Sequence, residues 1–486
     1  MTLKRFLWHD YETFGADPAR DRPAQFAGLY TDADLQPVGE PMMFYCRPIM
    51  DVLPHPDAVA ITGITPQIAE REGLDEPVFA QRIFDAFSRP GTCGVGYNSI
   101  RFDDEVTRHL FYRNFHDPYI REWSGGNSRW DLIDVVRLWH ALRPDGLEWP
   151  TGEHGATSFK LEHLTAANGL AHEQAHDALS DVRATLALAQ KLKQAQPRLF
   201  EHALGLRDKR AAATLLAGST QTPVLHVSSR IPAALGCLTA VVALAPHPTN
   251  RNCVLSFDLR QDPTDLLMLD IDELQDRLFT PREDLPEGIE RLALKGIHLN
   301  KSPMLAPLTT LRPAQAERWQ LDLAEIAEHH AVLMQAGPAL VEKVQAIYAQ
   351  DDRATDDPEV SLYGGFIPDS DRARCERVRE AGPAGAAAFD GRFDDPRLNE
   401  LLFRWRARHA PDQLEAGERA AWQEFLQRKL TIDTGLATLT LPAYRALVDA
   451  RIRQETDPAR LRQWLELQQW PRDSGLLDWI RDESAA

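Results

Sequence analysis

Large apolar residues are bunched into short runs near the start of the chain and recur at helical spacing further on. Phe6, Leu7 and Trp8 sit in RFLWHDYE, which reads as a strand, and QFAGLYTD, MMFYCRP and CGVGYN repeat that texture. Turn-rich segments separate the first three runs, which predicts an antiparallel meander. Between Asp103 and Phe115 the apolar positions Val106, Leu110 and Phe111 follow a helical period, as do Val182, Leu186, Ala189 and Leu192 between Ser180 and Leu192. A mixed sheet with flanking helices makes 1–195 an α/β domain. Beyond Pro197 the runs TPVLHVSS, CLTAVVALAP, NCVLSFDL and LALKGIHLN, spaced by Pro, Asn and Gly, predict a small β barrel or sandwich over 196–350. Helices from about Ala314 to Ala349 close it. The acidic, Gly-containing stretch 351–371 reads as a linker, and segments such as PRLNELLFRWRARH make 372–486 all-helical. Trp405, Trp422 and Trp464 read there as packing residues rather than as a stacking platform.

Composition narrows the class. With 486 residues the chain exceeds one core, and 43% hydrophobic and 26% charged residues are ordinary for a globular protein. It carries neither a run of about 18 apolar residues nor the apolar core of a secretory signal, so a cytoplasmic protein without membrane contact is expected. Cys46, Cys93, Cys237, Cys253 and Cys375 are scattered, which supports neither a disulfide framework nor a zinc ribbon. The net charge of −18 argues against a generic basic nucleic-acid coat. It leaves room for an enzyme whose positive potential lies along one groove, supplemented by metal ions at its carboxylates.

The candidate chemistry begins at LWHDYETFG. Alternation on a strand points Asp10 and Glu12 the same way. Two carboxylates about 4 Å apart in a partly buried site repel by about 4 kcal/mol at an effective dielectric near 20, unless a cation or a proton intervenes. Two later segments offer partners: YNSIRFDDEVTRHL, where a strand gives way to a helix near Asp103, and AHDALSD, where His176 lies in the loop ahead of Asp181. Each piece has a plain reading by itself. Asp10 and Glu12 could face solvent, Asp103, Asp104 and Glu105 could complement a helix N-terminus, Asp177 could be an N-cap and His176 a surface residue. As an ordered set within one α/β domain they point to a shared acidic site.

HDYETFG, ITGITP at Ile61 to Pro66, YNSIRFDDEVTR and HDALSDVRAT resemble the motifs of the DEDDh superfamily of 3′-to-5′ exonucleases. YRNFHDPY, NSRWDLIDVVR, HLNKSPMLAP and LYGGF narrow the resemblance to the bacterial exodeoxyribonuclease I family over nearly the whole chain. That resemblance implies a ribonuclease H-like exonuclease domain, an SH3-like β domain and a helical C-terminal domain. It implies a repair and recombination enzyme that trims single-stranded DNA from the 3′ end, releasing 5′-mononucleotides. It implies two Mg2+ ions, with Mn2+ as a substitute: Asp10 bridging, Glu12 and Asp181 holding the ion that carries the nucleophilic water, and Asp103 supporting the other. His176 would accept the proton of that water, an imidazole being suited to it by its pKa near neutrality.

Bases and aromatics interleave from Arg108 to Lys160, as a strand-tracking groove requires. The resemblance places Arg108, Tyr119, Trp123, Arg137 and Lys160 against DNA, although Lys160 stands where the family often has Arg. Phe14 is read as stacking near the terminal nucleotide. The resemblance further implies a monomer that docks the acidic C-terminal tail of the single-stranded DNA-binding protein, with Arg143 and Arg312 in the groove. QTPVLHVSS and FEHALGL lack a Lys and a Tyr that relatives carry there. The alternatives are an RNA-trimming or proofreading exonuclease, which shares the three motifs, and a non-catalytic single-strand-binding protein that keeps the fold.

Overall fold

The computed structural model describes residues 3–152, 155–172, 176–349 and 357–481. The first strand, β1 (Arg5–Thr13), is flanked by β2 (Pro23–Thr31) and β4 (Thr92–Gly96), with β3 (Met42–Tyr45) beyond β2. β1, β2 and β3 are the antiparallel meander the sequence predicts, and β4 returns parallel to β1 after a helical crossover. Parallel pairing requires such a crossover, here α1 (Pro56–Thr62), α2 (Pro66–Glu72) and α3 (Glu76–Phe87). Strands on both sides explain why Phe6, Leu7 and Trp8 are all buried. In register, Asp10 faces Ala27 and Glu12 faces Gln25. Helix α4 (Asp103–Arg113) follows β4 and packs Val106, Leu110 and Phe111 with Phe26, Phe79, Ile83 and Phe87 into one core.

Compactness groups 1–127, 173–183 and 353–486 into one unit and 128–172 and 184–352 into another. In the first, the C-terminal helices share a core with the amino-terminal region. Phe14, Leu53, Val59 and Ile64 pack with Trp422, Phe425, Tyr444, Trp464 and Leu467. Trp405 is buried as well, so these tryptophans are core residues, as read from the sequence.

The stretch read as a linker is packed over 357–362, the start of its described part, and largely exposed over 363–370. Glu359, Ser361 and Leu362 are buried. Arg22 donates to Glu359 at 2.8 Å, Arg408 donates to both of its oxygens at 2.8 Å, and Arg404 lies 3.3 Å away. Arg408 also pairs with Asp51, buried at the far end of the sequence, and Lys429 donates to the same carboxylate at 2.8 Å. Burial alone would raise both carboxyls, but Arg408, Arg22, Lys429 and Arg404 hold Glu359 well below the usual range, and Arg408 and Lys429 do so for Asp51.

The second unit contains β5 (Ser128–Asp131) and a separate antiparallel sheet of β6 (Val224–Val227), β7 (Leu238–Pro246), β8 (Cys253–Asp258), β9 (Leu294–His298) and β10 (Met304–Pro307), in the order β10-β6-β7-β8-β9. Four of these are the predicted runs, and the fifth comes from HLNKSPMLAP. Helices Pro313–Arg318, Leu323–Gln335 and Pro338–Ile347 close the region. Among the described residues no helix is long and apolar enough to cross a membrane.

Candidate active site

Three elements of the first unit deliver acids to one place. β1 presents half-buried Asp10 and buried Glu12 on the same side. The backbone N–H of Tyr11, between them, donates to Asp103 Oδ1 at 3.1 Å, which ties the start of α4 to the strand. Of the consecutive acids on that turn, Asp104 pairs with buried Arg121 at 2.6 Å and Glu105 pairs with Arg108 at 2.8 Å. Only Asp103 turns toward the strand acids. Asp181 comes from the helix Ala178–Ala195, whose first turn is capped by Asp177 accepting from Ser180 N at 3.0 Å.

His176 lies in the turn before that helix, exposed, with a left-handed φ of 67°. A non-glycine residue in that region is strained by about 1 kcal/mol or more, which marks the position as one the surroundings impose. Its N–H donates to Asp181 Oδ2 at 3.3 Å. Ligand atoms of Glu12, His176 and Asp181 all lie within 4.8 Å of one another.

The electrostatics distinguish this cluster from the ion-paired acids. Burial and the charges of Asp181, Asp103 and Asp177 push Glu12 up to about 9. Asp10 is likewise raised well above its ordinary value, by burial and then by Asp103, Glu12, Asp181 and Asp177. Glu76, by contrast, is lowered to about 2 by Arg113 and Arg22 despite its burial. Among the described residues no Lys or Arg side chain pairs with Asp10 or Glu12. Hard carboxylate oxygens, gathered close enough to raise one another beside an imidazole, suit a divalent cation.

The remaining candidates are placed unevenly. Trp123 is 62% exposed, Tyr119 is half-buried, and Lys160 is exposed at the start of the helix Leu161–Ala167. Arg108 is 4% exposed and fully engaged: it donates to Glu122 at 2.8 and 2.9 Å, to Glu105, and to the Tyr363 hydroxyl at 2.9 Å, with its guanidinium 5.4 Å from the Tyr119 ring centroid. In this structure it organises the aromatic face rather than presenting charge to solvent. Arg137 is also buried, paired with Asp134 at 2.5 Å and lying over Phe159. Phe14, read as a stacking residue, is 2% exposed and packs in the core with Ala24, Leu53 and Trp422. Arg143 donates to the carbonyls of Leu142 and Thr310, and burial followed by the nearby charge of Arg312 lowers its pKa. Arg312 is exposed.

Two participants escape the sequence reading. Tyr363, from LYGGF, bonds Arg108 and donates to Glu105. Gln25 touches the His176 loop from β2, and only its register opposite Glu12 betrays it.

The chain matches three family models: Exonuclease over residues 7–189, Exonuclease I SH3-like domain over 207–350, and Exonuclease I C-terminal domain over 356–474. It is 46% identical to exodeoxyribonuclease I of Escherichia coli K12 over 428 residues, 88% of this chain and 90% of that one. Its fold is similar to the moderately thermophilic exonuclease I of Methylocaldum szegediense, with a TM-score of 0.92 at 48% identity over 97% of this chain and 99% of the other. It is similar also to the zinc-bound form of the E. coli exonuclease I complex with single-stranded DNA, with a TM-score of 0.91 at 43% identity over 98% and 100% of the two chains. Matched in all three segments and along nearly its whole length, the chain belongs to the exodeoxyribonuclease I family and is a nuclease, a hydrolase of the exonuclease class.

Proposed function

We propose that the protein removes 5′-mononucleotides from the 3′ end of single-stranded DNA, with Mg2+ as its cofactor, in DNA repair and recombination. The observation that carries this reading is the meeting of Asp10, Glu12, Asp103 and Asp181, from three separate elements, with His176 at their edge. These four carboxylates would hold two ions, with Mn2+ able to replace Mg2+. When bound, such ions acidify a water and offset the charge that develops on the leaving 3′ oxygen.

The chain's own residues do the rest. His176 takes the proton from the attacking water at a ring nitrogen, and its exposure lets that proton pass to solvent. Trp123 and Tyr119 offer faces on which bases stack without sequence selection, and Lys160 offers charge to the phosphates. Arg108 acts by fixing Tyr119, Glu122 and Tyr363. The neighbouring guanidinium groups of Arg143 and Arg312 suit an acidic peptide end, such as the tail of a single-stranded DNA-binding protein. We read the protein as a cytoplasmic monomer with functional domains at 1–195, 196–350 and 372–486.

The test is digestion of a 5′-labelled oligonucleotide, single- and double-stranded, with DNA and RNA 3′ ends, with Mg2+ or a chelator. A metal-dependent shrinking ladder of the single DNA strand is expected. Asp181→Ala should abolish it with the thermal midpoint preserved; digestion by that variant at the wild-type rate would overturn the assignment, and preference for an RNA end would redirect the substrate.

A further inference from the structure

The loop that carries His176 is held in an unusual way. A strained turn at a catalytic site persists only when its surroundings over-determine it. Here one flank of the turn borders a cavity of about 290 Å3, lined among others by Gln25, Tyr45, Ile64, His176 and Asp177, so apolar packing does not support it from that side. Among the described residues, the side-chain amide of Gln25 spans the gap. Gln25 sits on β2 directly opposite Glu12 and next to Tyr45 of β3, and it is 1% exposed. Its Oε1 accepts from Ala178 N at 3.0 Å, its Nε2 donates to Asp177 Oδ2 at 3.4 Å, and the Tyr45 hydroxyl interacts with the same side chain.

We propose that Gln25 is a positioning residue for the reaction: its amide latches Asp177 and Ala178 to the sheet and thereby holds His176 over the carboxylates. The chemistry explains the residue type. The latch must accept from a backbone N–H and donate to a carboxylate at once, and a side-chain amide is the neutral group that offers both from adjacent atoms. A carboxylate at this position would add a charge beside Glu12 and face Asp177 acceptor to acceptor; an apolar residue would leave the Ala178 N–H without its partner. Asp177 in turn caps the helix that carries Asp181, so one side chain sets both the imidazole and a carboxylate relative to β1.

This inference rests on the proposed role of His176, and its test separates the two. Gln25→Leu, Gln25→Glu and the double variant Gln25→Glu/Asp177→Asn are compared on a single-stranded oligonucleotide at saturating Mg2+, with hydrogen exchange followed at the Ala178 amide. Gln25→Leu should lower kcat about 10- to 100-fold, the range for residues that orient catalytic groups from behind, with KM within about twofold and faster exchange at Ala178. Gln25→Glu should be similarly impaired. The double variant keeps the net charge and reverses donor and acceptor, with the new amide donating to the new carboxylate, and should recover at least tenfold of the lost kcat and slow the exchange again. An unchanged kcat in Gln25→Leu, or a loss that the double variant does not recover, overturns the latch. Wild-type protein that cleaves no DNA while Gln25→Leu still speeds Ala178 exchange would instead overturn the catalytic reading and leave the latch standing.

Discussion

Binding a divalent cation must expel a proton that the acidic cluster otherwise keeps. Glu12 titrates at about 9 because it is buried among Asp181, Asp103 and Asp177. At pH 7 such a carboxyl is protonated in all but ~1% of molecules, and removing the proton costs about 2.7 kcal/mol. Apparent affinity for Mg2+ should therefore rise at least about tenfold per pH unit from 6 to 8.5, with at least about one proton released per protein at pH 7, because Asp10 is raised as well. The stability of the metal-free protein runs the other way. The unfolded carboxyl loses its proton near the ordinary 4.5 and the folded one near 9, so between those values the folded state binds more protons and this group's contribution falls as pH rises. The gap in Tm between Mg2+-saturated and chelated protein should widen accordingly from pH 6 to 8.5. Calorimetric titration in two buffers of different protonation enthalpy counts the protons, and Glu12→Gln should lower the release. Binding that releases no proton and keeps one Kd across this range would refute the reasoning, because the carboxylates could not then be repelling one another as the structure requires.

Other outcomes follow from the same geometry. Asp51→Ala should cost about 3–5 kcal/mol in urea unfolding, since Lys429 would lose its only hydrogen-bonded anion among the described residues; adding Lys429→Met should recover more than half, and a loss under about 1 kcal/mol would show that the buried pair is dispensable. Phe14→Ala should lower stability by about 3–5 kcal/mol and leave the Kd for a single-stranded oligonucleotide within twofold, as a core residue would. Trp123→Ala should do the converse, weakening that Kd by about 1–3 kcal/mol with Tm unchanged, as expected for an exposed stacking face.

Local physics made much of this molecule legible in the chain alone. Alternation on RFLWHDYE puts Asp10 and Glu12 on one side, helical period locates α4 and the helix that bears Asp181, and a loop ahead of that helix receives His176. These are short-range consequences of backbone geometry, so they survive in any fold that keeps the elements. Tertiary structure decided which long side chains found partners. Arg22 and Arg408 reach Glu359 across separations of 337 and 49 residues and bury one end of an apparent linker. Phe14, two residues beyond Glu12, was drawn into a core with helices some 400 residues away. Arg108 is drawn to Glu122 and Tyr363, and Gln25 gains its latch only because β2 sets it opposite Glu12. Spacing along a chain encodes period and face; it carries no information about which distant charge will be close enough, once water is excluded, to hold a given arginine or amide.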